Sequence, residues 1–329
     1  MNKRIILLCS FSLSTIVWAS DRHQEQKLRR KELNVGVFSH QGEKFSQEDT
    51  YAVFGKGEFS CVCDGHGGIE AARIANEWLP NAFLKHLAMS KGSDLSKEKA
   101  FKAAIQEVEK RIVEDDANEK SGSTLVAAYV GKNNFHLAWV GDSRIVCGSD
   151  QGITASTQDH NIKSALEKER VLKAGSTIYR EMRRDRSVIG PWRVRGLVPT
   201  RTLGDAFAKK DSGKNLRVHS RPGHVLQCES DLKELHSSII IKVKPNQIIA
   251  EPDYLKVPID EKSPFIVLAS DGLWDVMTNE EVMQQIDALA GAGLSMDCIA
   301  KALVNNAQMK GSFDNITVIV LDIRPRIKK

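Results

Sequence analysis

The stretch "FSCVCDGHGG", residues 59–68, runs as a mostly apolar segment and then stops on an aspartate, a histidine and three glycines. A short apolar run bounded by glycines is typical of a strand that is buried on both faces. Such a strand delivers the carboxylate of Asp64 to the edge of a core, where a charge needs a partner. The stretch therefore predicts a buried strand that ends at a polar site.

Further short strands and amphipathic helices follow in blocks. The segments "STLVAAYVG", "NFHLAWVG" and "RIVCGS" are separated by turn residues, so consecutive strands are expected to be antiparallel. Helical periodicity covers about residues 69–87 and 96–117, and returns near 163–174, 279–289 and 296–308. Strand blocks alternating with helix pairs predict an α+β fold in which sheet packs on sheet with helices outside.

Composition narrows the class of protein. The chain has 329 residues, of which 41% are hydrophobic and 27% charged, enough to bury a full core. Its formal net charge of +5 is small for this length. The charge balance therefore predicts neither a nucleic acid nor a membrane surface as partner.

The first twenty residues, "MNKRIILLCSFSLSTIVWAS", combine two basic residues with an apolar run and small residues before a cleavage point. This pattern predicts an export signal over 1–20, followed by a mature domain over 21–329. The alternative is a membrane anchor, but a span needs about 20 apolar residues and three serines interrupt this run. We expect an exported protein with no stable membrane span after cleavage.

Acidic residues stand at the ends of several predicted strands. A single aspartate in such a place is usually a turn residue. Five sites together indicate a bound divalent cation, because clustered carboxylates repel one another. Oxygen ligands without a CxxC or HExxH motif favour Mg²⁺ or Mn²⁺ over Zn²⁺. The five sites are Glu48-Asp49, Asp64, Asp142, Asp271 and Asp314.

Eight segments in order resemble the signature motifs of the metal-dependent type 2C Ser/Thr protein phosphatases. The combination of DGHGG with GDSR, SDG and DN downstream is highly specific. The resemblance covers about residues 34–325 and implies a four-layer α/β/β/α fold, a central antiparallel β-sandwich flanked by helix pairs. The segments are "SQEDTYAVF", "CVCDGHGG", "SGSTLVAAYV", "WVGDSRIV", "EKERVLKAG", "PTRTLGDAFAK", "LASDGLWDVM" and "FDNITVIVLDI".

The resemblance also implies the ligands of a binuclear centre at one end of the sandwich. Asp64, the Gly65 carbonyl and Asp271 match direct ligands of the metal pair, and Asp314 completes one of them. Two divalent ions lower the pKa of a bridging water and clamp both oxygens of an in-line displacement at phosphorus. The implied reaction is hydrolysis of phosphoserine and phosphothreonine in proteins by direct attack of hydroxide.

Other residues match supporting positions in that family. Glu48 and Asp49 resemble the acidic pair that holds metal-bound waters, and Asp142 with Asp271 resembles a third, weaker metal site. His66 matches the proposed general acid, and neighbouring carboxylates favour its protonated form. Thr124 matches a residue close to the metal-bound solvent.

One position departs from the family pattern. The family places an arginine four residues before its glutamate, and this sequence has Lys44 there. Lysine supplies a point charge without the planar fork of arginine, so weaker or less oriented phosphate binding is expected. The alternative is that Lys44 is a solvated loop charge.

Two further segments interrupt the regular pattern. Residues 179–196 contain six arginines, and 206–250 is a long polar connection that corresponds to the variable flap of the family. Connections of that length are usually lids or binding loops. We expect the arginines either to face an acidic phosphopeptide or to serve as a solvated surface.

Two other classes of function compete with the phosphatase. A binding module without turnover would be expected to lack metal ligands, yet Asp64, Asp142, Asp271 and Asp314 are all present. A metal-dependent phosphodiesterase would use similar carboxylates, but the near-neutral charge lacks a basic footprint for a polyanion. The sequence therefore favours a monomeric Ser/Thr phosphatase with a phosphoprotein substrate.

Overall fold

The computed structural model describes residues 33–90, 94–114, 119–187, 189–209 and 215–327. The export signal predicted over 1–20 lies outside these ranges. Within them, no helix is long and apolar enough to cross a membrane.

The described strands are short, and most pair in antiparallel ladders. In chain order they are β1 (Asn34–His40), β2 (Thr50–Phe54), β3 (Phe59–Cys63), β4 (Gly65–His66), β5 (Gly122–Ser123), β6 (Leu125–Val130), β7 (Asn134–Val140), β8 (Arg144–Ser149), β9 (Gly152–Ser156), β10 (Ile178–Arg183), β11 (Ile189–Val194), β12 (Leu203–Gly204), β13 (Asn215–His219), β14 (His224–Cys228), β15 (Asp231–His236), β16 (Ser238–Lys242), β17 (Asp253–Pro258), β18 (Phe265–Ala269) and β19 (Ile316–Asp322).

The α-helices of the described ranges are, in chain order, α1 (Glu70–Met89), α2 (Asp94–Val113), α3 (Ala165–Lys173), α4 (Ala206–Lys209), α5 (Asp271–Trp274), α6 (Asn279–Gly291), α7 (Met296–Met309) and α8 (Arg324–Ile327). Five of them, α1, α2, α3, α6 and α7, fall where the periodicity predicts them, with boundaries shifted by up to four residues, whereas the short helices α4, α5 and α8 were not predicted.

Two five-stranded antiparallel sheets form the centre of the domain. Sheet A has the order β1-β19-β18-β8-β9, and sheet B has the order β17-β7-β6-β3-β2. One buried cluster fills the space between the sheets, α1 and α2 cover the outer face of sheet B, and α5, α6 and α7 cover sheet A. These four layers confirm the predicted α/β/β/α sandwich.

The side chains of β3 explain its continuous apolar sequence. Phe59, Cys61 and Cys63 pack into the core under α1 and α2, whereas Val62 faces the other sheet. Because successive side chains of a strand point to opposite faces, a strand covered on both sides must be apolar at nearly every position. The aromatic ring of Phe59 lies 5.3 Å from that of Phe83 in α1.

A small three-stranded sheet, with the order β12-β5-β4, sits beside the sandwich. Its register pairs Gly65 with Ser123 and His66 with Gly122, and it pairs Gly122 with Gly204 on the other side. Three segments that are far apart in sequence are thereby fixed next to one another at the end of β3.

The described parts of the segment predicted as a polar connection, 206–209 and 215–250, are folded rather than structureless. They contribute α4, the β13–β16 ribbon, and two strands of a second sheet with the order β11-β10-β14-β15. The ribbon and this sheet share a small core of Tyr179, Leu226, Ile239 and Ile241. This core packs the ribbon against the sheet, and its residues come from β10, β14 and β16.

Candidate metal centre and active site

Strand pairing brings the predicted acidic residues to one end of the sandwich. Cys63 of β3 pairs with Thr50 of β2, so Asp64 and Asp49 leave the same edge of sheet B. Ala269 of β18 pairs with Val318 of β19, which places Asp271 and Asp314 at the corresponding edge of sheet A.

A cavity of about 770 Å³ opens at this end. Nine of the ten predicted site residues line it, and Asp49 is the exception. The nine are Lys44, Glu48, Asp64, Gly65, His66, Thr124, Asp142, Asp271 and Asp314.

The surroundings of Asp64, Asp142 and Asp271 disfavour the charged form of each carboxylate. Burial, together with the repulsion of Asp271 and then Asp49, raises the pKa of Asp64 well above its usual range. Burial and the charge of Asp142 have the same effect on the pKa of Asp271. Burial, followed by repulsion from Asp159, raises the pKa of Asp142 to about 7.

Two nearby cations, Lys44 and Arg144, are already engaged by other carboxylates. Lys44 Nζ lies 2.6 Å from Asp314 Oδ1. The guanidinium of Arg144 donates two hydrogen bonds to Asp159, at 3.0 and 2.8 Å. The protein itself therefore leaves the charge of the buried aspartates largely uncompensated.

Asp49 stands behind the cavity rather than in its lining. Its Oδ2 accepts a 2.7 Å hydrogen bond from Ser270 Oγ, while its buried Oδ1 has no hydrogen-bond partner among the described residues. Burial raises the pKa of Asp49 to about 6. An orphaned carboxylate oxygen beside other carboxylates fits a site that holds a cation or its water shell.

The donor set has the character expected for a hard cation. Among the described residues, no group of three or more His, Cys, Asp or Glu side chains is arranged to hold a metal by itself. Mg²⁺ usually keeps several waters and binds through one or two carboxylates. The buried aspartates and the Gly65 carbonyl therefore fit ions held largely through water.

The glycines after Asp64 are needed for close backbone packing. A Cβ at Gly65 would lie 2.5 Å from the carbonyl oxygen of Glu48, and one at Gly67 would lie 2.3 Å from that of Lys120. Gly67 also has a φ of +67°, which disfavours side chains. Neighbouring protein backbone fills the space that a side chain at these glycines would occupy. These glycines are therefore required for packing, whether or not they also lie beside a metal.

His66, which is partly exposed, pairs with Asp205, a buried residue that the sequence analysis did not select. His66 Nε2 lies 2.8 Å from Asp205 Oδ2, and Asp205 is fully buried with its Oδ1 unpartnered among the described residues. Burial lowers the pKa of His66, but the hydrogen bond and charge of Asp205 outweigh this and raise it. The "TRTLGD" motif carries Asp205 and was the available signal.

Thr124 supports the end of β3. Its Oγ1 lies 2.6 Å from Ser143 Oγ and accepts a 3.3 Å hydrogen bond from the backbone N–H of Asp64. These bonds connect the carboxylate that ends β3 to the loop that follows β7.

Asn315 and Asp275 are two further residues that sequence reasoning missed. Asn315 Oδ1 accepts a 2.8 Å hydrogen bond from the backbone N–H of Glu48, which fixes the acidic loop against β19. Asp275 follows α5, and its negative charge contributes to the raised pKa of both Asp142 and Asp271. Asp275 lies four residues after Asp271 in "SDGLWD", a spacing that places both at one helical face.

The six arginines of 179–196 separate into different environments. Arg193 lines the cavity, whereas Arg195 is buried and donates to Gln247 Oε1 and the Phe207 carbonyl. Arg180 stacks over the Trp192 ring at 4.4 Å. The other three arginines are exposed around the β10–β11 turn and do not line the cavity: Arg183, Arg184 and Arg186.

Comparison with known proteins defines the class. The protein phosphatase 2C family model matches residues 23–316. The probable protein phosphatase 2C 76 of Arabidopsis thaliana is 30% identical over 302 residues, which are 89% of this chain and 59% of that protein. Protein phosphatase 1L of Bos taurus is 30% identical over 316 residues, which are 89% of this chain and 73% of that protein.

A solved structure has the same fold. The crystal structure of serine-threonine phosphatase 2C from Toxoplasma gondii matches with a TM-score of 0.64 at 20% identity, over 88% of this chain and 94% of that one. Together with the family match, this similarity confirms the resemblance seen in the motifs. The chain belongs to the protein phosphatase 2C family of serine/threonine protein phosphatases.

Proposed function

We propose that this chain is a Mg²⁺- or Mn²⁺-dependent phosphatase that hydrolyses phosphoserine and phosphothreonine in protein substrates. The observation that carries the proposal is the set of aspartates at one cavity, whose pKa values are raised by burial and by repulsion from neighbouring carboxylates. Two divalent cations would satisfy that charge, and a third would fit weakly beside Asp142 and Asp271. Membership of the phosphatase 2C family supports the same reaction.

Asp64, Asp271, Asp314 and the Gly65 carbonyl would hold the cations, and Glu48 and Asp49 would hold their water shells. Cations bound there supply a nucleophile at neutral pH by lowering the pKa of water, and they stabilise charge on the phosphoryl oxygens. The chain's own contribution is to fix these oxygens in a partly enclosed cavity, where electrostatic stabilisation is stronger than in bulk water.

His66 would protonate the departing serine or threonine oxygen as the P–O bond breaks. Its Nε2 is engaged by Asp205, so Nδ1 is the ring nitrogen that remains to give the proton. Asp205 favours the charged imidazolium and fixes the ring orientation. Lys44, beside Asp314, would contact the substrate phosphate with a single point charge.

The export predicted from residues 1–20 remains part of this proposal, and it places the substrate outside the producing cell. We also propose that the exported protein acts as a monomer. Fractionation of cells that express the full chain, followed by mass determination of the recovered protein, tests both statements.

The phosphatase is tested by phosphate release from phosphoserine and phosphothreonine peptides with Mn²⁺, with Mg²⁺, and with a chelator in excess. We expect release only with metal, and faster hydrolysis of an aryl phosphomonoester than of the matching bis-ester. Faster bis-ester hydrolysis would favour a phosphodiesterase. Absence of turnover with either metal would favour a binding module.

A further inference from the structure

Phe45 is an exposed aromatic residue at the candidate active site. Its relative accessibility is 108%, the highest value among the large hydrophobic residues in the described ranges, so the ring is fully exposed. Phe45 lines the cavity next to Lys44. An exposed phenyl ring gains nothing for folding, because its apolar surface stays in water. Exposed aromatic side chains beside a cavity commonly serve as binding anchors.

The loop that carries Phe45 is braced on both sides of it. The carbonyl of Lys44 accepts a 2.7 Å hydrogen bond from Gln41 Nε2, and the carbonyl of Ser46 accepts a 3.0 Å hydrogen bond from Asn315 Nδ2. Asn315 Nδ2 also donates to the Gln41 carbonyl at 2.7 Å. Phe45 is therefore held out by an ordered backbone, which lowers the entropy cost of binding through it.

The cavity also has apolar lining from a separate part of the chain. Leu197, Val198 and Pro199 follow β11, and Phe207 lies in α4. The volume of about 770 Å³ exceeds that of a phosphoryl group and is typical of sites that take a larger ligand, ~300–1,000 Å³. The cavity therefore has both an acidic floor for the reaction and apolar surface for neighbouring substrate residues.

We propose that Phe45, with the apolar lining formed by Leu197, Val198 and Phe207, binds an apolar side chain of the phosphoprotein substrate within two positions of the phosphorylated residue. The inference rests on the proposed function and adds a sequence preference to it. Phe45 and Asp314 line the same cavity, so the phenyl ring lies beside the place where the proposed reaction would occur. Residues of an extended peptide advance about 3.3 Å each, which limits the contact to near neighbours in the substrate.

The test compares phosphothreonine peptides that differ at one position, with leucine or glutamine placed one or two residues before or after the phosphothreonine. At one of these positions, we expect the parent protein with Mn²⁺ to show about a tenfold higher kcat/KM for the leucine peptide. In Phe45→Ala the ratio of the two values should fall to within twofold of one. In Phe45→Leu, which keeps an apolar side chain, it should fall in between.

Phe313→Ala is the matched control. Phe313 is 62% exposed, and its carbonyl accepts a hydrogen bond from the N–H of Glu43 in the same loop, but its side chain does not line the cavity. We expect this variant to keep the full preference for leucine. A second readout is the affinity of the same peptides carrying a non-hydrolysable phosphonate, measured by fluorescence anisotropy, where the same ratio should appear in Kd.

The outcomes separate this proposal from the function on which it rests. Turnover of all peptides by the parent without a preference for leucine at any position would overturn the role of Phe45 alone. A preference that Phe45→Ala retains, or that Phe313→Ala also loses, would overturn it as well. Failure of the parent to hydrolyse any phosphopeptide or aryl phosphate would overturn both the proposed function and this preference.

Discussion

Two groups of carboxylates in this domain have opposite electrostatic environments. At the cavity, burial and mutual repulsion raise the pKa values of Asp64, Asp142 and Asp271. Beside α3 and β17, the pKa values of Glu167 and Asp253 are lowered to about 2. The titrating group is a carboxylate in both cases, so the partners supplied by the fold must account for the difference.

His160 and Arg201 are the main sources of that difference. The hydrogen bond with His160 is the largest cause of the lowered pKa of Asp253, and the hydrogen bond from Arg201 is the largest of the causes that lower the pKa of Glu167. Arg201 contacts Glu167 Oε1 at 2.7 Å and Asp253 Oδ1 at 2.8 Å, and Glu167 also accepts hydrogen bonds from Arg170 and Thr200. This second group is neutralised inside the protein and serves the fold. The cavity group lacks such partners, and we interpret it as a site kept for cations that come from solution.

Removing a cavity aspartate should have the largest effect. Asp64→Ala or Asp271→Ala is expected to lower Mn²⁺-dependent phosphatase activity by at least about 1,000-fold, because metal-site electrostatics dominate such reactions. Circular dichroism should show that both variants remain folded. The unfolding free energy of metal-free Asp271→Asn should rise, since one repelling charge is gone. Activity within tenfold of the parent at saturating Mn²⁺ would contradict the assignment.

Removing the arginine of the other group should mainly affect stability. Arg201→Gln leaves the buried Glu167 without its closest cation, and we expect the free energy of unfolding to fall by about 3 kcal/mol in a urea titration. Arg73→Gln is the control, because Arg73 pairs with Glu70 on the exposed surface of α1 and should change stability by less than about 1 kcal/mol. Equal losses of unfolding free energy in Arg201→Gln and Arg73→Gln would contradict the special role of Arg201 in neutralising Glu167.

Asp205→Asn tests whether the buried partner of His66 acts in the reaction. Asparagine fits the left-handed backbone at this position, where φ is 50°, but it cannot stabilise an imidazolium. We expect kcat to fall about 100-fold with little change in KM. Gly122→Ala should give a similar loss, because its Cβ would lie 2.1 Å from Asp205 Oδ2. A loss in KM alone would indicate a substrate-binding role instead.

Lys44 tests the contact with the substrate phosphate. A hydrogen bond to a charged group contributes about 1.5–3 kcal/mol, so Lys44→Ala should raise KM for a small aryl phosphate by at least about tenfold. Lys44→Arg should have the same KM as the parent, or a lower KM because arginine can form two parallel hydrogen bonds to the phosphate. If KM is the same in Lys44→Ala and the parent, the lysine only anchors its loop through Asp314.

The smallest effect concerns acid stability. Because folding lowers the pKa values of Glu167 and Asp253 to about 2, their stabilisation is present above about pH 4.5 and is lost as the pH falls toward 2. The midpoint of urea unfolding should therefore decrease over this window in the parent. Glu167→Gln should show a flatter dependence, and an equally steep decrease in that variant would assign the acid sensitivity to other groups.

The sequence alone determined the sandwich and most of the site lining. Strands buried on both faces must be apolar along their whole length, which makes segments such as β3 and β18 recognisable without structure. The polar residues that follow such strands are conspicuous for the same reason. Asp64 after β3 and Asp271 after β18 could therefore be selected from the sequence. The motif order then indicated the family, which the comparisons confirmed.

Only the tertiary structure decided which charges have partners. Glu167 and Arg201 lie 34 residues apart, and His66 and Asp205 lie 139 apart, so no local pattern pairs them. The flap was read as a polar connection because its core forms only when β10, β14 and β16 come together, as Tyr179 and Ile241 do. The exposure of Phe45 was not predictable from the sequence either. Whether one aromatic side chain is buried or exposed depends on which distant segments fold around it. Local sequence fixes backbone preference and apolar periodicity, whereas neutralisation and exposure depend on contacts that only the folded chain creates.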